Sequence, residues 1–289
     1  MLETIGYNPD EMAGSASAPD AAVGRVVRVD RGVALVLTET GIVRASYGAE
    51  LLAEMACDPG AAPSTGDWVV VRDWPDHRVT LDTVLPRRTA VVRAVAGEQS
   101  RGQVLCTNVD YVAVVVSLHP DPQITRIERL LALAWESGAQ PVVVLTKSDL
   151  VSDAALVAED VGEAAPGVEV ICCSTVTGQG LDRIRELIGG TATIALLGSS
   201  GHGKSTLTNA LVGTEVLVTK DIRDDGRGRH TSVRRELVVL PGGGAVIDTP
   251  GLRGIGLDGR AQGHPAPRGA GQAVEEDVAE PVRAPVNRR

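Results

Sequence analysis

The order of two short patterns constrains this chain more than any other feature. Residues Gly198, Ser199, Ser200, Gly201, His202, Gly203, Lys204 and Ser205 fit G-x4-G-K-S/T, a loop whose backbone N–H groups converge on phosphate oxygens. Thr146, Lys147, Ser148 and Asp149 fit N/T-K-x-D, a guanine-reading pattern, yet they come first. An ordinary GTP-binding domain has the reverse order. The full series runs base reader, Ser174-Thr175, phosphate loop, a basic stretch containing residues 226–232, then Asp248-Thr249-Pro250-Gly251. It reads as a nucleotide-binding domain whose chain has been cut and rejoined.

A chain of 289 residues is long for one compact domain, so two are expected. Hydrophobic residues make up 43% and charged residues 22%, the balance of an ordinary globular protein. With aromatics at 2% and no Phe, the core must be built from Val, Leu, Ile and Ala. A net charge of -9 argues against a protein that coats nucleic acid, though not against a local basic patch. The first basic residue is Arg25, and no apolar run approaches the roughly 20 residues of a membrane span. A cytoplasmic protein with no membrane partner, working as a monomer, is expected. Cys57, Cys106, Cys172 and Cys173 form no C-x2-C pair, so neither a disulfide framework nor a zinc knuckle is indicated.

Residues 1–21, rich in Ala, Ser, Pro and acidic groups, read as a flexible tail. Over 22–88 short β-rich runs (23–29, 33–37, 42–47, 68–72 and 79–85) alternate with turn signals, predicting a small barrel of OB type. Such barrels often bind nucleic acid through aromatic side chains. This one offers only Tyr47, Trp68 and Trp74, so an RNA-binding and a purely structural role both stay open. Over 89–258 the rhythm becomes strand then helix, which predicts a doubly wound α/β domain. Strands are expected at 111–116, 142–145, 168–172, 193–197, 236–240 and 245–248. Helices are expected around 124–135 and at 154–164, 181–187 and 204–211. Residues 259–289 lack periodicity and read as a disordered tail.

The site chemistry follows from residue type. Lys204 would neutralise the β- and γ-phosphates, Ser205 would place its hydroxyl on Mg²⁺, and the helix carrying Thr206 adds its positive dipole end. Asp248, at the end of an apolar run, can face the metal directly or through water, and the Gly251 N–H can meet the γ-phosphate. The Asp149 carboxylate can accept from both N1–H and the N2 amino group of guanine, whereas adenine offers a bare acceptor and no amino group. A buried unpaired polar group costs about 1–3 kcal/mol, so GTP is preferred over ATP. Lys147 would lay its stem over the base, and Ser174-Thr175 sits where a turn contacting guanine O6 belongs. Thr231 is the candidate Mg²⁺ ligand of a loop that orders on the γ-phosphate, with Ser232 as the fallback. Leu252 stands where many small GTPases carry a water-orienting Gln. His230 is therefore the internal candidate for positioning the nucleophile, ahead of His202.

Taken together, these residues resemble the circularly permuted ribosome small-subunit-dependent GTPase A (RsgA) family over roughly residues 23–257. The resemblance rests on Gly66-Asp67-Trp68-Val69, Leu85-Pro86-Arg87-Arg88, Asn108-Val109-Asp110, Gly228-Arg229-His230-Thr231-Ser232 and Asp248-Thr249-Pro250-Gly251-Leu252-Arg253. It implies an OB domain, a permuted GTPase domain and a role in late maturation of the 30S subunit, with 16S rRNA as a partner. It also implies hydrolysis stimulated by that subunit, with His230 matching a histidine implicated in the reaction. Members carry a C-terminal domain in which three cysteines and a histidine bind zinc. Here every cysteine lies at or before Cys173 and only His264 follows the GTPase domain, so no zinc site is expected. The leading expectation is a GTPase of ribosome assembly. The alternative is a GTP-dependent binding module with little turnover, while an ATP-using kinase is disfavoured by Thr146 to Asp149.

Overall fold

In the computed structural model the described residues are 1–9, 20–93, 102–119, 122–217 and 235–250. The first five strands are β1 (Ala21–Asp30), β2 (Val33–Thr38), β3 (Gly41–Tyr47), β4 (Trp68–Asp73) and β5 (Val79–Val84). They close into a barrel in the order β1-β2-β3-β5-β4. Closure comes from β1, which pairs antiparallel with both β2 and β4. The barrel is narrow, which explains a glycine inside β1: a Cβ on Gly24 would lie 2.4 Å from Val36 Cγ1. Its interior holds Val26, Ala34, Val36, Ala45, Val69, Val71 and Leu81. Leu51, from a helix α1 (Ala49–Cys57) between β3 and β4, completes the packing.

After the barrel comes a two-stranded hairpin, β6 (Ala90–Arg93) and β7 (Gln103–Thr107). The remaining elements alternate. They are β8 (Tyr111–Ser117), α2 (Ile124–Glu136), β9 (Gln140–Thr146), α3 (Ala154–Ala164), β10 (Glu169–Cys173), α4 (Leu181–Ile188), β11 (Thr193–Leu197), α5 (Lys204–Val212), β12 (Glu236–Val239) and β13 (Ala245–Asp248). Six strands form a sheet ordered β10-β9-β8-β11-β13-β12, parallel except where β12 meets β13. Alternation along each strand sorts the core into two layers. Val112, Val114 and Val116 join the layer of α2 and α3, while Ala113 and Val115 join that of α4 and α5. The chain steps outward from β8 to β10, then returns across β8 to β11. The order therefore reverses between β8 and β11, where an open α/β sheet leaves a crevice at its carboxyl ends.

Barrel and sheet share one continuous apolar cluster, in which Trp68 and Leu85 meet Val109, Leu237 and Ile247. Polar groups stitch the same seam. Arg25, 2% exposed, donates to the carbonyls of Ile5, Gly66 and Asn108 and stacks 5.0 Å from the Trp68 ring centroid. Burial pushes its guanidinium down to about 10. The expected loose N-terminal tail needs correction for residues 1–9. Leu2 and Ile5 are buried, and Thr4 O accepts from Gly244 N at 2.6 Å. Composition averaged over the segment hid these apolar residues three apart. No helix among the described residues is long and apolar enough to cross a membrane.

Candidate functional site

The phosphate loop lies at the reversal point. It leaves β11 and enters α5, and Gly198 is required there because a Cβ would come within 2.3 Å of Val115 O on neighbouring β8. Gly201 and Gly203, at φ 86° and 83°, take left-handed turns that Cβ-bearing residues avoid. Lys204, 6% exposed, folds back so that Nζ donates to Gly198 O at 3.0 Å and Ser199 O at 2.8 Å. Burial pushes its ammonium down to about 8, a pull that the nearby Asp248 carboxylate opposes.

The end of β13 meets the start of α5. Ser205 Oγ donates to Asp248 Oδ2 at 2.6 Å, while Asp248 Oδ1 is buried without a hydrogen-bond partner. Burial raises the Asp248 pKa, partly offset by the Ser205 bond and by Lys204. A hydroxyl beside a carboxylate with an unmet oxygen is a hard-oxygen donor set that suits Mg²⁺. Thr249 Oγ1 donates to Leu196 O at 2.6 Å, fixing the strand end against the loop strand.

The base-reading pattern follows β9 and abuts the same loop. Thr146 Oγ1 donates to His202 O at 2.8 Å, joining two segments that are distant in the chain. Lys147 takes a left-handed φ of 61° and starts a short 3-10 turn, Ser148–Leu150. Ser174, fully buried, donates from Oγ to Asp149 Oδ1 at 2.5 Å and accepts from the N–H groups of Val176 and Thr177. The serine thus holds the carboxylate in place. Ser148 Oγ in turn donates to Gln179 Oε1 at 3.0 Å, a partner that no pattern in the sequence had flagged.

Other expected residues divide by position. Ser200, Gly201 and Thr206 are exposed at the loop and first helical turn. His202 turns Nδ1 to Val115 O at 3.2 Å, and burial lowers its pKa. That orientation commits the ring to the β8 strand end. Thr231, Ser232, His230, Gly251, Leu252 and His264 lie outside the described residues.

Residues 84–258 match the family described as RsgA GTPase. This chain belongs to the RsgA GTPase family. Similar curated proteins include the small ribosomal subunit biogenesis GTPase RsgA of Streptomyces coelicolor, 50% identical over 259 residues, covering 87% of this chain and 69% of that protein. The RsgA of Streptomyces avermitilis is 52% identical over 238 residues, covering 81% of this chain and 63% of that protein. The chain thus spans about two thirds of the length of these relatives. Among solved structures, YjeQ from Thermotoga maritima superposes with a TM-score of 0.59 at 23% identity, covering 81% of this chain and 76% of that one. YloQ, described as a circularly permuted GTPase, gives 0.53 at 20%, covering 82% and 74%. At those identities the likeness is one of fold. It agrees with the closed barrel and with the permuted order of motifs.

Proposed function

We propose that this RsgA-family chain binds GTP with Mg²⁺ in the crevice between β8 and β11, hydrolyses it, and acts in maturation of the small ribosomal subunit. One arrangement carries the reading: Ser205 and Asp248 share a 2.6 Å hydrogen bond beside Lys204, while Thr146 ties the base-reading turn to the same loop. Lys204 would exchange its loop carbonyls for phosphate oxygens. Ser205 and Asp248 would hold Mg²⁺, which supplies neutralisation of charge developing on the transferred phosphoryl group. Asp149, aimed by Ser174, would take the two guanine N–H donors. His230, Thr231 and Gly251 complete the proposal as nucleophile-positioning residue, metal ligand and γ-phosphate donor. The 30S subunit and its 16S rRNA are the proposed partners, engaged by a monomer.

Hydrolysis measured with and without purified 30S subunits tests this. Stimulated phosphate release is the expected result. Tight GTP binding with no release under either condition would instead make the chain a nucleotide-dependent binding module.

The base assignment has its own test. Asp149→Asn is expected to lower GTP affinity roughly 100-fold, as two charge-assisted hydrogen bonds worth about 1.5–3 kcal/mol each are weakened. Xanthosine triphosphate should gain in parallel, because an amide N–H can donate to xanthine O2. Competition against a fluorescent GDP reads both. Unchanged guanine preference would place base recognition elsewhere.

A further inference from the structure

A second cleft, of about 500 Å³, opens where the barrel meets the GTPase sheet. Gly60, Ser64 and Thr65 line it from the barrel side, Gln103 from β7, and Arg235 and Pro250 from the segments flanking β12 and β13. Among the described residues that line it, Arg235 is the one charged side chain. Arg235 Nε is buried with no hydrogen-bond partner, and the guanidinium forms no ion pair among the described residues. Arg93 lies near enough to depress the Arg235 pKa, although burial is the larger cause. Among the described residues Arg93 donates to Gln103 Oε1 at 3.2 Å and pairs with no carboxylate. The contrast with adjacent arginines is informative. Arg87 is paired with Asp67, and Arg28 with Asp30 and Glu236.

A half-buried guanidinium whose Nε is shut off from water without a partner is a costly arrangement, and an anion relieves it. Arginine's planar fork suits phosphate in particular, and Ser64, Thr65 and Gln103 add neutral hydrogen-bonding groups at the wall. We propose that this cleft binds a phosphate group and that its occupancy is coupled to the nucleotide at the phosphate loop. The coupling has a short physical route. Arg235 precedes Glu236, which pairs in register with Asp248, and Pro250 lies two residues beyond Asp248. A movement of the Asp248 strand end on nucleotide exchange therefore reshapes the cleft wall, and a bound phosphate biases that movement in return. The coupling rests on the GTP reading above, whereas the phosphate site stands without it.

The phosphate can belong to an RNA strand or to a small phosphorylated ligand, and two probes separate these. A fluorescein-labelled single-stranded oligoribonucleotide is titrated by anisotropy, and inorganic pyrophosphate by calorimetry. The chain is saturated with GDP and Mg²⁺, so that the phosphate loop is filled. Arg235→Gln is expected to weaken whichever probe binds by roughly 10-fold or more. Its melting temperature should hold or rise, since a half-buried, unpaired charge is removed. Dependence on Arg235 for the oligonucleotide assigns the site to RNA backbone, and for pyrophosphate alone to a small ligand. Equal binding by wild type and Arg235→Gln, or no binding of either probe, overturns the site. Equal probe affinity with GDP and with a non-hydrolysable GTP analogue overturns the coupling. A direct titration with fluorescent GDP shows separately whether the guanine-nucleotide reading itself has failed.

Discussion

Lys204→Ala is expected to lower GTP affinity by roughly 100-fold or more while leaving the melting temperature unchanged or slightly higher. The binding loss follows from removing a buried cation whose charge-assisted bonds to phosphate are each worth about 1.5–3 kcal/mol. Stability should move the other way because the ammonium is held at 6% exposure against two carbonyls, its pKa pushed down to about 8. An unfolded lysine titrates near its ordinary value, so below pH 8 the folded protein carries the full cost of a desolvated charge. That cost disappears as pH rises from about 8 through the ordinary lysine range. Triphosphate replaces carbonyl dipoles with full negative charge and raises the pKa again. Binding at pH 9 should then take up about one proton, and at pH 7 almost none. Calorimetry in buffers of differing ionisation heat measures this directly. An alanine variant that binds GTP normally, or that loses binding only because it unfolds, would remove Lys204 from the phosphate site.

Much of this architecture was legible from local pattern. Continuous Val-rich runs at β8 and β9 declared strands buried on both faces, and the phosphate loop announced itself between a strand and a helix. The barrel strands could be read because alternation and turn glycines repeat at short range. Helix α1 went unassigned although Ala, Leu, Glu and Met favour helix, since it lay between strands in a region dominated by β signals. The hairpin β6–β7 was missed for another reason: its strands are short and its register slips at Val91/Val92. Least legible were long-range pairings. Gly66-Asp67-Trp68, Arg87-Arg88 and Asn108 could be recognised as a family fingerprint, yet only their juxtaposition shows what they do. At the nucleotide site the same limit applies to the Ser174-Thr175 turn: that Ser174 Oγ holds Asp149 shows only once the chain is folded.

That juxtaposition leads to the largest expected stability effect. Asp67→Ala should destabilise the protein by about 3–5 kcal/mol, a melting shift of roughly 10 °C for a chain of this size. Asp67 is fully buried, and Arg87, Thr107 and Ser64 donate to it. Arg87 Nε reaches Oδ1 at 2.7 Å and Nη2 reaches Oδ2 at 2.8 Å, while Thr107 Oγ1 and Ser64 N each donate at 2.7 Å. Truncation leaves a partly buried guanidinium and two further donors without their acceptor. Urea denaturation of Asp67→Ala, Arg87→Met and the double variant apportions the effect. The double variant should lose less than the sum of the singles, because removing both charges leaves none stranded. Strict additivity, or a neutral Asp67→Ala, would mean the pair does not hold the seam. The same residues bear on the nucleotide site, since a Cβ on Gly66 would lie 2.2 Å from Thr107 O and 3.1 Å from Ile247 Cδ1. Ile247 directly precedes Asp248, so the barrel packs against the strand that ends at that carboxylate. Loosening the seam should therefore also speed GDP release from the folded fraction, measured by chase of a fluorescent GDP. A seam variant with wild-type release would confine Asp67 to stability alone.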